Sequence, residues 1–136
     1  MIEGASVLDC FAGTGALGLE ALSRGAARAV FVERDRSALA ALRANIAACR
    51  AGDRCEVLPI DMLTVPSGKR ADIVFLDPPY GLDLIARALI RLRAVRRIGT
   101  GTLIVAEMGR GEPAPEFEML ADRTHGAARV TIWREE

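Results

Sequence analysis

Two short runs of this sequence hold side chains whose types and spacing could do chemistry. They are FAGTGALG, from Phe11 to Gly18, and DPPY, from Asp77 to Tyr80. In the first, Gly13, Gly15 and Gly18 satisfy G-x-G-x-x-G, a turn at which a strand hands over to a helix whose first N–H groups can face a ligand. Glu33 follows at roughly the ~20-residue distance of an acid that binds ribose hydroxyls. Any tight strand-to-helix turn could carry the same glycines. Asp9 narrows the choice, because it precedes the loop on the same strand. A carboxylate at that mouth repels the diphosphate of a dinucleotide and suits an ammonium or sulfonium. S-adenosylmethionine carries both, whereas Glu33 would serve either cofactor.

In the second run, two prolines stiffen the chain and remove two N–H donors, which leaves carbonyls free to accept. Asp77 adds a carboxylate acceptor and Tyr80 a flat amphipathic ring. That set fits an exocyclic amine on an aromatic platform, with Asp77 and a carbonyl of Pro78 or Pro79 taking its two N–H bonds. The nitrogen lone pair then faces an electrophile. Stacking on Tyr80 would be worth about 1–3 kcal/mol. Alone, the run could be a rigid loop; after a strand, in a sheet with a glycine loop on its first strand, it reads as an amine-methylating site.

Alternating strands and helices must position these groups. Strands are expected at Ser6 to Phe11, Ala29 to Glu33, Cys55 to Ile60, Asp72 to Asp77 and Thr102 to Glu107. Helices are expected in ALGLEALSRG, with Leu17, Ala21 and Leu22 as an apolar stripe and Gly25 as the stop. A second runs through DRSALAALRANIAACRAG, with Asp35 at its start and Gly52 past its end. A third runs through LDLIARALIRLRAVRR, with Ile85, Ala88, Leu89 and Leu92 on one face. FEMLADR and ARVTIW, around the turn THG, read as a closing antiparallel pair. The order predicts an α/β fold with a mostly parallel sheet and a C-terminal antiparallel strand pair, whose ligands sit beyond the carboxyl ends of the strands. Asp9, Glu33, Asp61 and Asp77 fall at those ends. The whole chain, 1–136, is expected to be a single domain.

Composition limits the partners. Formal charge is zero, without the basic excess usual in a nucleic-acid binder. Arg87, Arg91, Arg93, Arg96 and Arg97 crowd the third helix, either as a solvated face or as a rim for RNA. Cys10, Cys49 and Cys55 form no C-x-x-C pair, and His125 is the only histidine, so free thiols and no metal are expected. No apolar run approaches membrane-spanning length and no signal layout opens the chain, which places it in the cytoplasm. A monomer is expected.

VLDCFAGTGALGLEALSRGA, FVERD, Asn45, IVFLDPPYG and LIVAE together resemble the bacterial small-subunit (16S) ribosomal RNA guanine-N2 methyltransferase family, the RsmD type. The resemblance spans essentially the whole chain. It implies a Rossmann-like class I methyltransferase sandwich, S-adenosylmethionine as cofactor and ribosomal RNA or the small ribosomal subunit as partner. By that resemblance Asp9, Phe11, Gly13, Thr14 and Gly15 line the methionine end of the cofactor. Glu33 takes the ribose hydroxyls, Arg34 lies beside the adenine, and Asp61 and Met62 contact it. Asp77, Pro78, Pro79 and Tyr80 hold the target guanine. The family also carries an arginine-rich arm before the first strand, where this sequence has MIEGA. An adenine-N6 methyltransferase, a cofactor-binding core without activity of its own, and a NAD-dependent dehydrogenase are the competing readings.

Overall fold

A computed structural model of the protein describes residues 2–79, 83–109, 119–125 and 128–136. In chain order the elements are β1 (Ser6–Cys10), α1 (Ala16–Ser23), β2 (Arg28–Val32), α2 (Arg36–Ala48), β3 (Cys55–Leu58), β4 (Ile73–Leu76), α3 (Leu84–Ala94), β5 (Leu103–Gly109), β6 (Met119–His125) and β7 (Ala128–Arg134). The described strands form one seven-stranded sheet in the order β3-β2-β1-β4-β5-β7-β6. The first five run parallel; β7 pairs antiparallel with both β5 and β6. This is the expected α/β architecture, mostly parallel with a C-terminal antiparallel pair.

Strand order reverses between β1 and β4, so the crevice that receives ligands opens beyond Cys10 and Leu76. The parallel strands alternate between two apolar cores. Leu8, Cys10, Val74, Leu76 and Ile104 pack with Ala88, Leu89 and Leu92 of α3 and with Trp133 of β7. Val7, Phe31 and Ile73 pack with Ala21 and Leu22 of α1 and Leu39, Leu42 and Ile46 of α2. Side chains such as Phe31 and Leu42, fully shielded from water, each contribute about 1.5–3 kcal/mol of transfer free energy.

Local departures from the expected boundaries have physical causes. Leu17 is 40% exposed, because the buried face of α1 is Gly18, Ala21 and Leu22 instead. The short helix turns one residue too far for Leu17 to reach the sheet. Arg50, not Gly52, takes the left-handed conformation after α2, with φ 54°; its N–H still reaches Ala47 O at 3.0 Å. Pro59 has no N–H to extend the sheet, and β3 stops at Leu58. Thr124 and His125, expected in a turn, belong to β6 and pair with Arg129 and Ala128. Asp35 caps α2 as expected, accepting from Ala38 N at 2.9 Å.

Candidate active site

Beyond the carboxyl ends of β1, β2, β3 and β4 lies a cleft of about 620 Å³, a volume usual for small-molecule sites. Of the residues singled out in the sequence, Phe11, Glu33, Arg34, Asp61, Met62, Asp77 and Pro79 line it. Val32, Ile60, Leu63 and Leu84 supply apolar wall, and Asp35 and Arg87 add charge at the margin. Asp9, Gly13, Thr14 and Gly15 are not among its lining: Asp9 and Gly15 are buried, Gly13 is half-buried and Thr14 is exposed on the glycine loop. Pro78 is buried. Tyr80 lies outside the described residues.

The loop is built by close approach. Phe11 leaves β1 in a left-handed conformation, φ 57°, a cost of order 1–3 kcal/mol for a non-glycine residue. The next N–H, of Ala12, is held by Val32 O at 2.9 Å. Gly15 caps α1 at φ 85° with no side-chain cap. Gly18 sits where a Cβ would come within 2.4 Å of Phe31 Cε1 and 3.1 Å of Asp9 Oδ2. Its missing side chain lets α1 settle against β1 and β2.

That approach decides what Asp9 does. Its residue is 1% exposed, and Oδ2 accepts the Gly18 N–H at 3.0 Å. Burial lifts the carboxyl to about 7; the Gly18 bond opposes the rise, while Asp77 and Glu33 reinforce it. Asp9 therefore acts first as a brace beneath the helix N-terminus. Glu33 braces the loop from the other side: Oε1 accepts from Gly13 N at 2.8 Å, and Oε2 from Arg34 N at 3.0 Å and Asp35 N at 2.9 Å. With two lone pairs on each oxygen, Oε1 still has capacity toward the cleft.

At the cleft's far wall Asp61 Oδ1 accepts from Leu63 N at 3.0 Å, and Oδ2 lies 3.4 Å from Arg34 Nη1. Exposed, this pair contributes little to stability, but it sets both side chains at the rim. Asp77 leaves β4 at the opposite end. Partial desolvation raises its carboxyl above the ordinary range, and Glu107, charged nearby and hydrogen-bonded to it, raises it further.

Two further sets of contacts support the site, and the first is the loop contact, one of two readings open for Asn45 in the sequence. Asn45 Nδ2 donates to Thr14 O at 3.0 Å, tying α2 to the glycine loop. The arginines of α3 and of the turn that follows it are not one solvated face. Arg97 is 5% exposed, with Nε on Pro66 O at 3.0 Å, and Arg91 Nε reaches Val65 O at 2.9 Å. Both hold the segment after the Met62–Thr64 turn, while Arg87 and Arg96 are exposed. Among the described residues no group of three or more His, Cys, Asp or Glu side chains is placed to hold a metal ion, and no helix is long and apolar enough to cross a membrane.

The family model "Conserved hypothetical protein 95" matches residues 1–134. The chain is 31% identical to the ribosomal RNA small subunit methyltransferase D of Haemophilus influenzae, over 98% of this chain and 73% of that protein. It is 43% identical to its Escherichia coli namesake over 65% of this chain, a match that spans 46% of that protein. A solved structure described as a putative methyltransferase, yhhF from Escherichia coli, superimposes with a TM-score of 0.89 at 32% identity, covering all of this chain and 78% of that one. The sheet and its helices are thus those of the Rossmann-like methyltransferase sandwich.

Proposed function

Given that the chain belongs to the Conserved hypothetical protein 95 family, the RsmD family, we propose that it transfers a methyl group from S-adenosylmethionine to the N2 amine of a guanine in small-subunit ribosomal RNA. The relatives' names support ribosomal RNA as substrate. The observation that supports an exocyclic amine as acceptor is the placement of Asp77 and Pro79 at one end of the cleft whose other end is Glu33 and Asp61; the choice of guanine N2 follows the family resemblance.

The donor set fits the cofactor. Apolar walls from Phe11, Val32, Ile60 and Leu63 suit a flat adenine, and Glu33 suits ribose hydroxyls. The lining carboxylates Glu33, Asp35, Asp61 and Asp77 outnumber Arg34 and Arg87, which favours a cationic ligand over a diphosphate. When bound, S-adenosylmethionine supplies an electrophilic methyl on a sulfonium. The chain's own work is positional. Asp77 and a proline carbonyl of the DPPY run hold the amine so that its lone pair is exposed, and favour the nitrogen as it gains positive charge. Asp77 need not be a strong base, because the proton can leave once the nitrogen is cationic. Tyr80 supplies the stacking platform. The guanine must leave its stack to be held this way, so an unpaired target is expected.

The test is transfer of labelled methyl from S-adenosylmethionine to unmethylated small-subunit RNA, free and in particles, followed by digestion to nucleosides. N2-methylguanosine supports the reading. N6-methyladenosine would replace it with the adenine enzyme, and cofactor binding without transfer would replace it with a binding core.

A further inference from the structure

We propose that Glu107 is the residue that selects guanine: it accepts the base's N1–H while Asp77 holds the neighbouring amine. This rests on the amine-methylating reading above and assigns that site a second base-reading side chain. Strands β4 and β5 run parallel in register, with Leu76 opposite Ala106. The residues that follow are Asp77, the first past β4, and Glu107, still within β5, which brings the two to the carboxyl edge of the sheet on neighbouring strands. Leu76 and Ala106 are both buried in the core beside α3, so alternation sends Asp77 and Glu107 to the other side together. The two carboxyl groups are near enough for Glu107 to push the Asp77 carboxyl up. In the sheet order β5 lies beyond β4 from β1, β2 and β3, so Glu107 stands on the side of Asp77 away from the Glu33 and Asp61 end of the cleft, where the target base would lie.

Two adjacent carboxyl groups carry four oxygens, and one contact between them leaves an acceptor on each for a ligand. The pairing edge of guanine presents two adjacent donors, N1–H and the N2 amine. The matching edge of adenine presents an amine beside the N1 lone pair. A second carboxyl beside Asp77 completes the first edge and repels the second. A site built around a substrate N–H discriminates strongly against an analogue that lacks it, because its own polar group is left unpaired.

2-Aminopurine separates this role from any structural one. It keeps the amine on C2 but has a bare acceptor at N1. The experiment uses a small-subunit RNA transcript whose methylated guanine has been mapped with the wild-type chain, and the same transcript with 2-aminopurine at that position. Wild type is expected to prefer guanine by roughly 100-fold in kcat/KM. In Glu107→Gln the amide can donate to the N1 acceptor, so the preference should contract by about tenfold or more while S-adenosylhomocysteine affinity stays unchanged. A guanine-to-aminopurine ratio equal in the two proteins overturns the role of Glu107 and leaves the methyltransferase reading standing. Failure of wild type to form N2-methylguanosine overturns the functional reading itself, and with it this inference.

Discussion

Gly13 donates its backbone N–H to Glu33 Oε1 at 2.8 Å, which makes the glycine loop and the end of β2 one hydrogen-bonded unit. An acid at this position shapes the loop, and in the proposed reading it also receives the cofactor's ribose hydroxyls. Glu33→Ala removes the acceptor for three backbone donors, and a hydrogen bond to a charged group is worth about 1.5–3 kcal/mol. Calorimetric affinity for S-adenosylhomocysteine should fall roughly 10- to 100-fold, the same free energy expressed as binding. Glu33→Gln keeps one acceptor oxygen and should lie between the two. Unchanged affinity in both variants would show that the loop holds its shape without this contact.

Asp77 lines the opposite end of the cleft, remote from the Glu33 contacts. Asp77→Ala should lower kcat by about 100-fold, the usual scale for removing a group that stabilises developing charge. Cofactor affinity should stay near the wild-type value. Single-turnover methyl transfer checks the first and calorimetry the second; normal turnover would remove Asp77 from the mechanism.

Gly18→Ala places a methyl group against Phe31 Cε1 and Asp9 Oδ2. Overpacking of this kind costs about 1–3 kcal/mol, read as a lower denaturant midpoint. Combining it with Phe31→Leu should recover part of the loss, since the ring atoms that block the methyl group are then absent. If the double variant is no more stable than the single ones combined, the clash lies elsewhere.

Burial that lifts Asp9 to about 7 sets the sign of a pH effect. Between pH 4 and 7 the folded chain holds a proton that the unfolded chain has already released. Stability from this group is therefore greatest below the unfolded carboxylate range and declines as pH rises toward 7, by at most about 4 kcal/mol. Asp9→Asn keeps an oxygen for the Gly18 N–H and removes the titration. Its melting temperature relative to wild type should rise between pH 5 and pH 8; a constant difference would mean that Asp9 titrates normally.

Two arginines, Arg87 in α3 and Arg97 just past its end, should behave oppositely. Arg97 is buried with Nε on Pro66 O, and its guanidinium packs over Gly68. Arg97→Ala should cost about 2–3 kcal/mol of stability through lost packing and an orphaned carbonyl. Arg87, exposed on the cleft rim, should leave melting unchanged in Arg87→Ala. That variant should weaken RNA binding and reduce the salt slope by roughly one. Unfolding and filter-binding titrations separate the two.

The contrast between those arginines marks what a sequence can convey. Glycine spacing, the acids at strand ends and the two-proline turn are local patterns, and each is placed by the strand it follows. The parallel sense of the first five strands follows in the same way from alternating elements. Arg97 is different: helical periodicity puts it among charged neighbours, and only the path of residues 65–68 across α3 takes it from water. The Asn45 contact to Thr14 likewise depends on how α2 crosses the loop. Glu107 looks like an ordinary strand terminus until β4 and β5 are set in register. Leu17 misleads for the same reason, since one turn of helix decides which of several apolar side chains meets the sheet.

The place of β7 between β5 and β6 has a consequence for how the protein comes into being. As the chain is synthesised, β6 is made before the strand that joins it to the sheet, and β5 waits with one edge bare. Trp133 fills the core beside α3 only when β7 arrives. A nascent chain that has reached residue 125 therefore holds its whole ligand cleft in outline while its sheet is still open. That interval is when it is most exposed to mispairing with another chain.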